Sequence, residues 1–172
     1  MALKFTYSLL NRILVNAPIL LLFISVFNEF DFNYLNYKYF SFNFPFILIF
    51  YWSLKRIESL GYGYIFIAGL FNDTVLGFPI GLSSLTYLII CGFAAYLRNI
   101  TLRPSLFRDW LYFLFTILVA NSINYFLLVT FFSIELNYYE LTGNILFTFL
   151  LYYIFGYLFD IYQRLALKKK ND

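Results

Sequence analysis

Residues 110–134 read WLYFLFTILVANSINYFLLVTFFSI, and this stretch decides the fold. Twenty-five residues run between Asp109 and Glu135 without a charge, which matches the roughly 17–25 apolar residues of a helix that crosses a lipid bilayer. Outward from there, charged residues cut the chain into pieces of similar order. There are 19 uncharged residues between Glu140 and Asp160, 24 between Asp73 and Arg98, and 14 between Glu58 and Asp73. Sixteen lie between Lys38 and Lys55 and another 16 between Arg12 and Glu29. Spans are therefore expected near 12–29, 39–55, 60–77, 80–97, 110–133 and 142–160, the third passing through Asp73. The fold class that follows is all-α: a polytopic membrane helical bundle of about six transmembrane helices, forming a single domain over residues 1–172.

Composition points the same way. Hydrophobic residues make up 62% of the 172 and charged residues 12%, against about 45–50% and about 25% in a soluble domain. So few charges cannot coat a water-soluble globule of this size, whereas lipid tolerates the surface that 24 Phe and 17 Tyr would present. The single cysteine, Cys91, excludes an intrachain disulfide, and the absence of histidine removes the commonest metal ligand and the usual neutral-pH proton shuttle. The opening MALKFTYSLLNR places two basic residues before an apolar run, but no A-x-A-like cleavage site follows. It reads as an uncleaved first span.

The basic residues give the orientation, because cytoplasmic segments are enriched in Lys and Arg. With the N-terminus inside, eleven of the twelve fall on the cytoplasmic side, among them Lys55, Arg98, Arg164 and Lys168–Lys170, and only Lys38 falls outside. Both termini are then cytoplasmic. The outer segment 29–38 is tyrosine-rich, as interfacial residues are. In the inner segment 98–109, Ser105 is placed to cap the fifth helix. Asp160 and Arg164, four apart, are expected to pair, and the LALKKK tail suits anionic lipid.

One constellation stands apart. In AGLFNDTVLGFPIGLSSLTY (68–87), Gly69, Asp73, Gly77 and Gly81 recur at intervals of four, which on a helix makes a small-residue face bearing one carboxylate. Pro79 interrupts it, so one helix should end near Gly77 and the next begin around Gly81–Ser84. The glycines suit close helix packing. Asp73 has two readings: it bonds backbone N–H groups at the turn or a polar neighbour such as Asn121 or Asn124, or it marks a site for a partner or ligand, since a carboxylate near the bilayer centre costs about 2.5–3.5 kcal/mol. Asn121 and Asn124, three apart in the fifth span, are expected to make interhelical hydrogen bonds. No catalytic set, metal site or cofactor site emerges, and no nucleic-acid partner is expected.

The stretch GLFNDTVLGFPIGLSSL resembles the signature region of the MreD family, the rod shape-determining membrane proteins of bacteria. Gly69, Leu70, Asp73, Gly77 and Gly81 stand at its motif positions. The chain length, six-span layout and short loops agree with that family. The resemblance implies a non-enzymatic protein of the bacterial inner membrane that acts in lateral peptidoglycan synthesis. Its implied partners are an MreC-like bitopic protein, a glycan polymerase, a transpeptidase and an actin-like filament.

Two other classes stay open. The substrate-binding subunit of an energy-coupling-factor type vitamin transporter is also a six-span bundle, and it needs a polar pocket near the outer face that Asp73, Asn121 and Asn124 would help to line. An enzyme acting on lipid-linked substrates would have to draw on Arg98, Arg103, Arg108 and Asp109, the one cluster of its kind.

Overall fold

The computed structural model describes residues 16–26, 41–55, 60–101, 105–133 and 138–171, with side chains as far as Arg164. The expected outer segment 29–38 and Lys4, Arg12, Arg56 and Arg103 lie outside the described residues. What is described is an all-α bundle of six helices: α1 (Asn16–Val26), α2 (Phe44–Lys55), α3 (Tyr62–Leu76), α4 (Leu82–Ile100), α5 (Leu106–Phe132) and α6 (Tyr138–Asn171). A helix thus occupies each of the six stretches marked out by the charges. The last is longer than the 142–160 expected, because no proline or turn glycine follows and Asp160, Arg164 and the lysines are all compatible with a helix.

Two of these helices, α5 and α6 to Arg164, are long and apolar enough to cross a membrane. Their most apolar windows are only 28% and 22% buried, unlike the core helix of a soluble protein. The buried positions form a single stripe on each. On α5 they are Asp109, Phe113, Thr116, Ile117, Ala120 and Leu128; on α6 they include Thr148, Tyr152 and Phe159. The opposite faces carry Phe115, Phe126, Ile154 and Tyr157, each more than half exposed. Large apolar side chains thus cover the periphery as well as the core.

The centre is α2. Every residue from Phe44 to Leu54 is buried. It packs on α4 and α6, while α4 packs on α3 and α5, and α5 on α6. Aromatic contacts fill the space between them. Phe50 meets Phe113 at 5.1 Å and Tyr152 at 5.6 Å, Phe113 stacks on Tyr152 at 4.3 Å, and Phe44 meets Phe155 edge-on at 4.8 Å. Trp110 stacks on Phe149 at 4.4 Å and donates its indole N–H to the Phe149 carbonyl at 2.8 Å, so this ring is packed and satisfied at once.

Candidate functional site

The α3–α4 hairpin is built around Asp73. α3 ends at Gly77, whose φ of 68° is the left-handed conformation that glycine adopts without strain. The Gly77 and Phe78 N–H groups both bond the Asp73 carbonyl, the latter at 3.0 Å. After Pro79 the chain reaches Gly81, the N-cap of α4, with φ 100°. Glycine has no side chain with which to cap a helix, and Asp73 supplies that group from the preceding helix. Its Oδ2 accepts the Gly81 N–H at 2.7 Å and its Oδ1 the Ser83 N–H at 2.8 Å. A fully buried carboxylate thus sits at the positive end of the α4 dipole and satisfies two otherwise orphan donors.

The glycines of the motif therefore do different work. Gly69 is the packing residue: a β-carbon there would stand 2.4 Å from the Ser84 Cα. Beside it Ser84 donates to the Phe66 carbonyl at 2.9 Å, and the Asn72 amide donates to Ser83 Oγ at 2.9 Å. A β-carbon at Gly77 or Gly81 would meet nothing within 4 Å, so those two are set by backbone conformation. The spacing of four reads as one face, but the break at Gly77 ends that face before its third glycine.

Among the described residues, Asn121 and Asn124 form none of the expected interhelical bonds. The Asn121 amide turns back to the Ile117 carbonyl of its own helix at 2.9 Å, and Asn124 Oδ1 is buried with no partner. Instead both line a half-open cavity of about 240 Å³. All six helices contribute to it, at the end where α1, α3 and α5 finish and α2, α4 and α6 begin. Ser25 comes from α1, Phe46 from α2, Asn72 from α3, Tyr87 from α4, and Asn144 from α6. The segment before α2 adds Ser41 and Asn43. Asn43 donates to Asn144 Oδ1 at 2.8 Å, and Asn144 donates on to Ser41 Oγ at 2.9 Å. No charged side chain among the described residues lines this space; the Asp73 carboxylate is held by its two N–H donors.

A second polar group lies at the opposite end. Lys55, the last residue of α2, pairs with Asp109 in the first turn of α5 at 2.8 Å, with the Asp109 side chain 2% exposed. Tyr51 donates to Asp160 Oδ1 at 2.6 Å. The expected Asp160–Arg164 pair is not formed; one oxygen of the Asp160 carboxylate accepts the buried Tyr51 hydroxyl instead. Close by, the Tyr152 hydroxyl is buried without a partner. Ser105 stands at the N-cap of α5, but its hydroxyl makes no capping bond. Of the arginine cluster considered for lipid-linked chemistry, Asp109 is committed to Lys55. Cys91 is buried and meets the Ser53 hydroxyl at 3.2 Å, and no three His, Cys, Asp or Glu side chains converge among the described residues.

Compared with protein-family models, curated proteins and solved structures, the chain finds no match.

Proposed function

We propose that the chain crosses the bacterial cytoplasmic membrane six times with both termini inside, and that it serves there as a non-enzymatic scaffold of the MreD type in the cell-elongation complex. The apolar periphery supports the multi-pass reading, since exposed Phe, Leu, Ile and Tyr ring the bundle and would face lipid. The distribution of Lys and Arg supports its orientation. The observation that carries the scaffold reading is the motif itself. Gly69, Asp73, Gly77 and Gly81 resemble the family signature, and in this fold they jointly set one hairpin, a surface on which neighbouring membrane helices can dock. Its expected partners are an MreC-like bitopic protein, the glycan polymerase and the transpeptidase, with the actin-like filament on the cytoplasmic side.

Depletion of the protein in its own bacterium tests this reading. Cells should round or widen, and cross-linked membranes should yield wall-synthesis proteins with the tagged chain. Unchanged shape, or cross-linked material free of those proteins, overturns it.

The cavity favours a second reading, the substrate-capturing subunit of a vitamin transporter, because such a subunit needs a polar pocket near the outer face. Loss of uptake of one nutrient with normal shape after depletion would select it.

A further inference from the structure

The cavity carries unused hydrogen-bonding capacity of both kinds. Asn72 and Asn121 each spend one amide N–H on a protein acceptor, and their amide oxygens accept nothing among the described residues. Asn124 Oδ1 is buried and unpartnered, and the Tyr87 hydroxyl has no hydrogen-bond partner among the described residues. Three amide oxygens thus converge beside unspent donors, the Asn124 amide N–H groups and the Tyr87 hydroxyl, a mixture that hydroxyl groups, which both donate and accept, can match. A buried acceptor left unpaired is costly, and native structures resolve such a cost with a bound group.

The walls narrow what that group is. With no charged side chain among the described residues that line the space, a carboxylate or phosphate would find no counter-charge there, which disfavours ionised ligands. A volume of about 240 Å³ equals the share of roughly eight liquid waters at ~30 Å³ each, too much for one bare ion and enough for a single small ring. Phe46, Phe78 and Tyr87 supply aromatic surface on which C–H faces rest. We infer that this cavity binds a small, uncharged, hydroxyl-rich group of sugar or polyol type, which donates hydrogen bonds to Asn72, Asn121 and Asn124. Two sources share that chemistry: a free solute, or the neutral headgroup of a glycolipid. The inference does not rest on the scaffold reading; it is tested on purified protein, whereas the scaffold is tested by cell shape.

The full chain, purified in a detergent without a sugar headgroup, is titrated with glucose, N-acetylglucosamine and inositol while thermal stability is followed. Parallel samples in phosphatidylcholine nanodiscs with and without monoglucosyl-diacylglycerol probe the headgroup source. Stabilisation by a neutral free sugar or polyol identifies a solute site, and stabilisation only by the glycolipid identifies a headgroup site; either supports the inference. Glucose 6-phosphate should bind at least about tenfold more weakly than glucose in the solute case. Asn124→Leu should weaken whichever probe binds by about tenfold, the worth of one to two hydrogen bonds. Asn121→Ala serves as the second variant should Asn124→Leu fail to give a monodisperse helical protein. Absence of stabilisation in both arms, equal binding of the phosphorylated sugar, or unchanged binding by a folded variant overturns the inference.

Discussion

Gly69 and Ser84 bring the backbones of α3 and α4 so close that a β-carbon on Gly69 would stand 2.4 Å from the Ser84 Cα and 2.6 Å from its nitrogen. The obstacle is backbone, so no side-chain rotation relieves it. Gly69→Ala should therefore force the helices apart and destabilise the protein by about 1–3 kcal/mol, as overpacking does. Gly63, on the same helix with nothing within 4 Å, is the control, and Gly63→Ala should cost nothing. Reversible unfolding in a denaturing detergent measures both. Equal effects at the two glycines would refute the close crossing.

Asp73 holds two backbone donors, and its replacements should grade accordingly. Asp73→Asn keeps one acceptor oxygen and loses the other, whereas Asp73→Leu strands both N–H groups. At about 1–3 kcal/mol per orphaned buried donor, the asparagine variant should be clearly milder than the leucine one. The same order is expected in complementation of the depleted strain. Indistinguishable phenotypes would show that the carboxylate is merely tolerated.

Gly77 tests conformation without packing, because its added β-carbon meets no neighbour. Gly77→Ala should cost about 1–2 kcal/mol for the left-handed backbone, and Gly77→Asn less, since asparagine visits that region more readily. A loss as large with Asn as with Ala would mean that space, and not φ, governs the site.

Two buried tyrosines at the other end should respond differently to loss of the hydroxyl. Tyr51→Phe removes the donor to Asp160 and leaves a carboxylate oxygen short of a bond, a loss of about 1–3 kcal/mol. Tyr152→Phe removes a hydroxyl that has no partner, so the variant should be as stable as the wild type or more so. Destabilisation of both by similar amounts would place a hydrogen-bond partner at Tyr152.

Topology is read by accessibility. In a Cys91→Ala background, a cysteine introduced in place of Ile80, which is 77% exposed in the hairpin turn, should react with a membrane-impermeant maleimide added to intact cells. One in place of Phe107, 59% exposed at the start of α5, should react only after the membrane is opened. The reverse pattern would invert the orientation, and labelling of both from outside would refute the multi-pass arrangement.

The positions of the helices were legible because charges are excluded from long apolar segments, so their spacing alone delimits the six stretches. The hairpin was legible too, since Gly77, Pro79 and Gly81 act on the local backbone, and the backbone-bonding reading of Asp73 needed only residues within ten positions of it. What was not legible is what depends on distant segments meeting. Asn43 and Asn144 are 101 positions apart, and nothing local to Asn121 or Asn124 reveals that they share a cavity with them. The ion pair of Lys55 with Asp109 and the bond from Tyr51 to Asp160 are of the same kind. Nor does sequence distinguish α2 from its neighbours, for a helix apolar all round looks alike whether lipid or protein surrounds it.

The enclosure of α2 bears on how such a chain is made. Its 12 residues rise only about 18 Å, well short of the roughly 30 Å hydrocarbon layer. Lys55 at one end of the helix is neutralised by Asp109, a partner synthesised more than fifty residues later. During synthesis α2 therefore emerges before the helices that sheathe it and before its counter-charge exists. On the proposed six-crossing arrangement such a helix completes its surroundings only when α4, α5 and α6 have arrived, so a truncation that stops short of α6 should leave the central helix exposed to protease in isolated membranes.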